Sequence, residues 1–173
     1  MKLRRRTAGL LAATAVAAGS LLATSAPAQA YDPDPSGRYA QVDTGNCNRL
    51  NGDLPVEEWD SGCFLDDSHD NTFFVKDPGG IGAKAELRHG GDLIGKAEFH
   101  PDDELLYLYD TKADGDGIYA RLWVEGLGLS RVYSATGASD PINRDIADGA
   151  DVRVIIYDDA DATDVIYSVG GRA

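Results

Sequence analysis

From Asn71 onward, apolar and polar positions trade places in short runs cut by Gly, Asp and Pro. Ala83, Ala85 and Leu87 fall on one side of an extended chain, and Lys84, Glu86 and Arg88 fall on the other. Ile94 to His100 continues the pattern, with Ala97 and Phe99 opposed to Lys96 and Glu98. Ile118, Ala120, Leu122 and Val124 share a face opposite Tyr119, Arg121, Trp123 and Glu125. A repeat of two is the signature of a strand, because successive side chains of a pleated chain point to opposite faces. Further runs at 71–76, 104–111, 129–135, 152–157 and 165–169 read the same way.

The breaks between these runs carry turn chemistry. Asp77-Pro78-Gly79-Gly80, Gly90-Gly91-Asp92, Pro101-Asp102-Asp103 and Gly126-Leu127-Gly128 each separate two strands. Proline presets φ, glycine accepts positive φ, and aspartate bonds its own backbone. Asp158–Asp164 closes a last hairpin, and 136–149 is a polar stretch. Strands at about ten-residue spacing, with no helical period between them, predict an all-β protein and argue against a βαβ fold. The expected architecture is an antiparallel β-sandwich over 71–173, immunoglobulin-like or jelly-roll-like, with one disulfide. Residues 31–70 read as a polar N-terminal excursion, with Tyr31–Pro35 a frayed leader.

The first thirty residues have another character. Lys2, Arg4, Arg5 and Arg6 precede an Ala/Leu-rich stretch that ends in Ala26-Pro27-Ala28-Gln29-Ala30. A basic start, an apolar middle and an A-x-A end make a secretory signal peptide over 1–30, with cleavage after Ala30. No later segment is apolar enough to span a bilayer as a helix. The expected product is secreted and extracellular. Without 1–30 the chain keeps 12 basic and 29 acidic residues, a net charge of −17. That excess argues against nucleic acid and against anionic membrane as partners, since both need a basic face.

Cys47 and Cys63 are the only cysteines. An even pair in an exported chain predicts a disulfide. Closing this loop is worth about 3 kcal/mol on the loop-entropy model. Neither cysteine lies in a nucleophile signature.

Several segments suggest chemistry. Asp110, Asp114 and Asp116 bracket an Asp-Gly turn, and Asp158, Asp159, Asp161 and Asp164 crowd another. Either group is a candidate calcium site, since calcium takes carboxylate oxygens; the alternative, a solvated hairpin turn, is favoured for both. An EF-hand frame from Asp110 puts Lys112 and Arg121 at ligand positions and fails. Tyr119 and Trp123, with Arg121 between them, form either a binding platform or the packing face of a second sheet, the latter favoured. No cofactor is required by any of these patterns.

Two resemblances add to this reading. His100-Pro101-Asp102-Asp103-Glu104 resembles the metal motif of zinc-dependent N-acetylglucosaminyl deacetylases. That resemblance implies His100 and Asp103 as zinc ligands and Asp102 as the base. No histidine follows His100, whereas that family supplies another. The bland alternative is a Pro-Asp-Asp turn. The stretch GKAEFHPDDELLYLYDTKADGDGIYARLWV and the ending VGGRA resemble a group of small secreted proteins of high-GC Gram-positive bacteria. That likeness covers about 95–173 and implies a secreted β-sandwich. It implies no activity. The group often carries a second cysteine pair in its last hairpin; here residues near Tyr157 and Tyr167 stand in its place. Together these patterns predict a non-catalytic module for an extracellular protein or a cell-wall glycan. A zinc-dependent hydrolase using the His100 segment is the alternative.

Overall fold

The computed structural model describes residues 31–135 and 141–173. The signal peptide expected over 1–30 lies outside the described residues, as do 136–140 of the polar stretch. Every regular element described is a strand, and the strands pair antiparallel. They are β1 (Ser36–Asp43), β2 (Asn48–Gly52), β3 (Glu57–Trp59), β4 (Gly62–Leu65) and β5 (Thr72–Val75). Next come β6 (Ile81–His89), β7 (Asp92–His100), β8 (Leu105–Asp110), β9 (Tyr119–Val124) and β10 (Gly128–Leu129). β11 (Tyr133–Ser134), β12 (Ile142–Asn143), β13 (Asp151–Tyr157) and β14 (Val165–Arg172) complete the chain.

Eleven strands form one hydrogen-bonded sheet in the order β10-β9-β13-β14-β6-β7-β8-β12, with β1 and β2 branching from β6 and β11 from β9. The sheet is two halves joined at a seam. Between β14 and β6 a single pair, Arg172 opposite Ile81, makes the connection. One half is β2-β1-β6-β7-β8-β12, and the other is β14-β13-β9 with β10 and β11. They face each other across one core. Ala83, Ala85, Leu87, Ala97, Phe99, Leu106 and Leu108 from the first half meet Ala120, Leu122, Val154, Ile156 and Val169 from the second. Each large apolar side chain buried there contributes about 1.5–3 kcal/mol. At Gly95 bulk is excluded. A Cβ on Gly95 would stand 2.6 Å from Ile118 Cγ1 and 2.9 Å from the Tyr109 carbonyl oxygen.

The polar excursion is more structured than its composition suggests. β1 pairs with β6 along eight residues and is part of the first half-sheet. β3, β4 and β5 form a small separate sheet in the order β3-β4-β5. This sheet lies on the other side of β1, β6 and β7. Ala40, Val42, Cys47, Leu54, Cys63, Leu65 and Phe74 make a second apolar cluster there. Cys47 and Cys63 are bonded, tying the turn after β1 to β4. Tyr31 is no frayed leader: it is 7% exposed and belongs to the main core.

Candidate functional site

Four places in the fold carry chemistry. The first is the outer face of β6 and β7. Cross-strand register sets Lys84 opposite Glu98 and Glu86 opposite Lys96. Opposite charges placed this way attract across the ladder. All four side chains are buried. They are roofed by the β4–β5 connection, whose Asp67 accepts hydrogen bonds from Lys84 Nζ at 2.7 Å and Lys96 Nζ at 2.9 Å. Lys96 Nζ also meets Asp70, the Asn71 carbonyl oxygen at 3.0 Å and Glu98 Oε1 at 2.8 Å. Thr72 Oγ1 donates to Glu98 Oε1 at 2.5 Å, and Lys96 sits 4.6 Å from the Tyr109 ring centre. Burial by itself would push the Asp67 carboxyl up, but the Lys84 and Lys96 hydrogen bonds hold it well below the usual carboxylate range. Glu98 is likewise lowered: burial opposes its charge, but His100 and Lys96 outweigh that. Asp67, Asp70 and Glu98 have oxygens close enough to share an ion, and the Lys96 ammonium already occupies that place.

The second is the turn between β7 and β8. His100 Nε2 lies 3.0 Å from Glu98 Oε2, and its ring packs between Phe74 and Tyr107. Asp102 and Asp103 belong to the tight turn that follows, closed by Glu104 N donating to the Pro101 carbonyl oxygen at 3.4 Å. Among the described residues, neither group of side chains near enough to share a metal contains His100, Asp102 or Asp103. Asp102 instead lines a cleft of about 510 Å³ with Asp77, Glu104 and Asp148. Burial raises the carboxyl pKa of Asp77 and of Glu104, and the neighbouring carboxylates add to both shifts.

The third comprises the two acidic turns. Asp110 Oδ1 accepts from Lys112 N at 3.1 Å, and Asp114 Oδ1 accepts from Asp116 N at 3.2 Å. The Asp114 carboxylate also receives the Tyr31 hydroxyl at 3.3 Å. These three aspartates do not converge on one point. In the second turn, Asp159 accepts from Thr163 N, Thr163 Oγ1 and Asp164 N, as a local turn brace. Asp161 is exposed. Asp158 and Asp164 do converge, and their third partner is Asp34, 124 residues before Asp158 in the chain. Sequence reading missed Asp34 because nothing local links it to that turn.

The fourth is the outward face of the second half-sheet. Along β9 the buried residues are Ala120, Leu122 and Val124; Tyr119, Arg121 and Trp123 point the other way. The expectation that Tyr119 and Trp123 pack a second sheet is therefore corrected: Ala120, Leu122 and Val124, on the opposite face of the strand, do that. Trp123 is 39% exposed. It shares a shallow pocket with Arg153 and Ile155, which lie opposite Trp123 and Arg121 on β13. Leu127 and Leu129 extend the exposed apolar surface along the adjoining hairpin. Arg121 is held by donation from its Nε to the Ser130 carbonyl oxygen at 2.9 Å. A second exposed indole, Trp59, was not singled out by sequence pattern; it stacks on Phe64 at 4.4 Å between ring centres.

Compared with protein-family models, curated proteins and solved structures, the chain matches none of them.

Proposed function

We propose that this protein is exported and acts outside the cell as a non-catalytic binding module for an extracellular protein or a cell-wall glycan. Its ligand face is the outer surface of β9 and β13 around Trp123. One observation carries the reading: Trp123 is exposed on β9, a strand hydrogen-bonded to β13 on one side and to β10 and β11 on the other, beside Arg153, Ile155 and an anchored Arg121. An indole on a fixed strand offers a flat apolar face at little entropic cost, and the guanidinium groups beside it supply donors for hydroxyls or carboxylates. In a chain so rich in carboxylates, that pair of arginines gives the face local positive charge. The signal peptide at 1–30 and the disulfide fit an oxidising, extracellular setting.

The test uses mature chain 31–173 and its Trp123→Ala and Trp59→Ala variants. Each is incubated with purified cell wall and with the host's secreted proteins, and retention is measured. Trp123→Ala should weaken retention at least about tenfold while the thermal midpoint stays in place. Trp59→Ala should bind like the parent. Equal binding by the Trp123 variant and the parent would refute this face, and soluble wall fragments that displace the chain would identify a glycan ligand.

A further inference from the structure

Asp158 sits at the end of β13 with no accessible surface, and its Oδ1 has no hydrogen-bond partner. Its Oδ2 accepts one bond, from the Tyr31 backbone nitrogen at 3.1 Å. Asp34, Asp158 and Asp164 each offer a carboxylate oxygen, and the three lie within 4.8 Å of one another. Among the described residues, none of the three forms an ion pair with a lysine, arginine or histidine. A buried carboxylate with one neutral donor and two acidic neighbours is a costly arrangement. Burial and the Asp164 charge raise its pKa, with a smaller contribution from Asp34.

Tyr31 is the residue that follows Ala28-Gln29-Ala30. It is held at both ends. Its nitrogen reaches Asp158, its hydroxyl lies 3.3 Å from both Asp114 oxygens, and its ring packs 5.5 Å from that of His89. Chain ends usually fray unless something ties them down. Here the first residue after the predicted cleavage point is buried, whereas the next three, Asp32, Pro33 and Asp34, are exposed.

We propose that the mature chain begins at Tyr31 and that its α-ammonium group is the cation resident among Asp34, Asp158 and Asp164. The idea rests on the export reading above. Hydrolysis of the Ala30–Tyr31 bond by an export endopeptidase consumes one water. The Ala30 carboxylate leaves with the released segment, and the Tyr31 nitrogen becomes an amine that takes up a proton. An amide nitrogen has one hydrogen and no charge. An ammonium has three hydrogens and a full positive charge, so it supplies both the missing donor for Asp158 Oδ1 and the missing countercharge. An α-amino group ordinarily titrates near pH 8, so it is charged at neutral pH even before its acidic neighbours act. Calcium is the competing occupant. It would need roughly six to eight oxygens, and it would have to displace a nitrogen already donating to Asp158.

The experiment has two arms. Full chain is expressed in an exporting host, and the N-terminus of the secreted product is sequenced; it should begin at Tyr31. Chain 31–173 is then prepared with a free Tyr31 amine, with that amine acetylated, and with one glycine added before Tyr31. At pH 7 the free-amine chain should melt about 2–4 °C above the other two. Its α-amine should react with an acylating reagent at least about tenfold more slowly when folded than in urea. Asp158→Asn should erase the difference between free and acetylated chains. Equal melting of those two chains overturns the ion pair, and so does a stabilisation by 1 mM calcium that acetylation leaves intact. A secreted product beginning elsewhere overturns the cleavage assignment. Failure of export removes the functional reading along with the cleavage, while the melting comparison still decides the pairing.

Discussion

The β6–β7 pair is buried on both faces, and the two faces are built from opposite chemistry. Toward the second half-sheet lie Ala83, Ala85, Leu87, Ala97 and Phe99; toward the β3–β5 layer lie Lys84, Glu86, Lys96 and Glu98. The apolar face is held by area removed from water, and its strength falls gradually as methylenes are removed. The charged face is held by mutual cancellation. Each ion there is stable only because its partners are present, so its losses come in large steps. One layer tolerates change in proportion to volume, and the other tolerates none unless the whole set changes together.

The sharpest way to break this contrast is Lys96→Met. Removing the ammonium leaves Asp67 and Glu98 buried without their shared cation, and should cost about 3–5 kcal/mol in urea unfolding. Exchanging Asp67, Lys84, Glu86, Lys96 and Glu98 together for apolar residues of similar volume should recover most of that loss. If Lys96→Met costs under about 1 kcal/mol, the layer is not a closed network.

The disulfide comes next. Cys47→Ala with Cys63→Ala should cost about 3 kcal/mol. The loss should be concentrated in the layer roofing the charges, so amide exchange should rise first in β4 and β5 and last in β9 and β13. Uniform acceleration would show that the roof and the sandwich open as one unit.

Acid offers a subtler probe. The folded pKa values of Asp67 and Glu98 lie below their unfolded ones. Their contribution is therefore complete above about pH 4, the unfolded range, and is lost as pH falls through the folded values. Asp67→Asn should flatten the decline of unfolding free energy below pH 4. Asp77 and Glu104, whose values are raised, act oppositely: the cost of their charge is relieved on acidification. Parallel pH profiles for parent and variant would assign acid sensitivity to other carboxylates.

The smallest effect should come from Arg38→Ala. Arg38 pairs with Asp53 at 2.8 Å, but both side chains are substantially exposed. An ion pair in water contributes at most about 1 kcal/mol, and its effect should vanish in high salt. A larger, salt-independent loss would show that Arg38 also holds the β2 edge through its contact with the Asp53 carbonyl oxygen.

Much of the fold is readable in the sequence, for a clear physical reason. Alternation through 83–88, 94–100 and 118–124 reports the pleat directly, and β6, β7 and β9 stand there. The Cys47–Cys63 bond follows from an even pair. Alternation separates two faces, however, without saying whether a third layer covers the polar one. Lys84 and Glu86 read as an ordinary polar face, and only the roof from Asp67 to Thr72 makes them buried. That roof was obscure because β3, β4 and β5 are three or four residues long and sit among Asp, Ser and Gly. At the sites, Tyr119, Arg121 and Trp123 were legible as sharing one face; its outward direction was set by the aliphatic residues Ala120, Leu122 and Val124, which take the core side. The cluster around Asp158 depends on Asp34 and Tyr31 returning from the far end of the chain, and no local spacing encodes that.

The short strands at the limits of the sheet bear on behaviour at high concentration. The main path of the sheet ends in β10 and β12, each two residues long; the five-residue β2 on the branch pairs with β1 alone across a register shift, and the small sheet ends in β3, where Glu57 and Glu58 are exposed. An unpaired edge recruits another chain only if it offers several consecutive free amides and carbonyls. Two residues offer too few, and adjacent carboxylates repel an incoming copy with the same charge. Crowding therefore finds little on this border from which copies of the chain could build a continuous sheet.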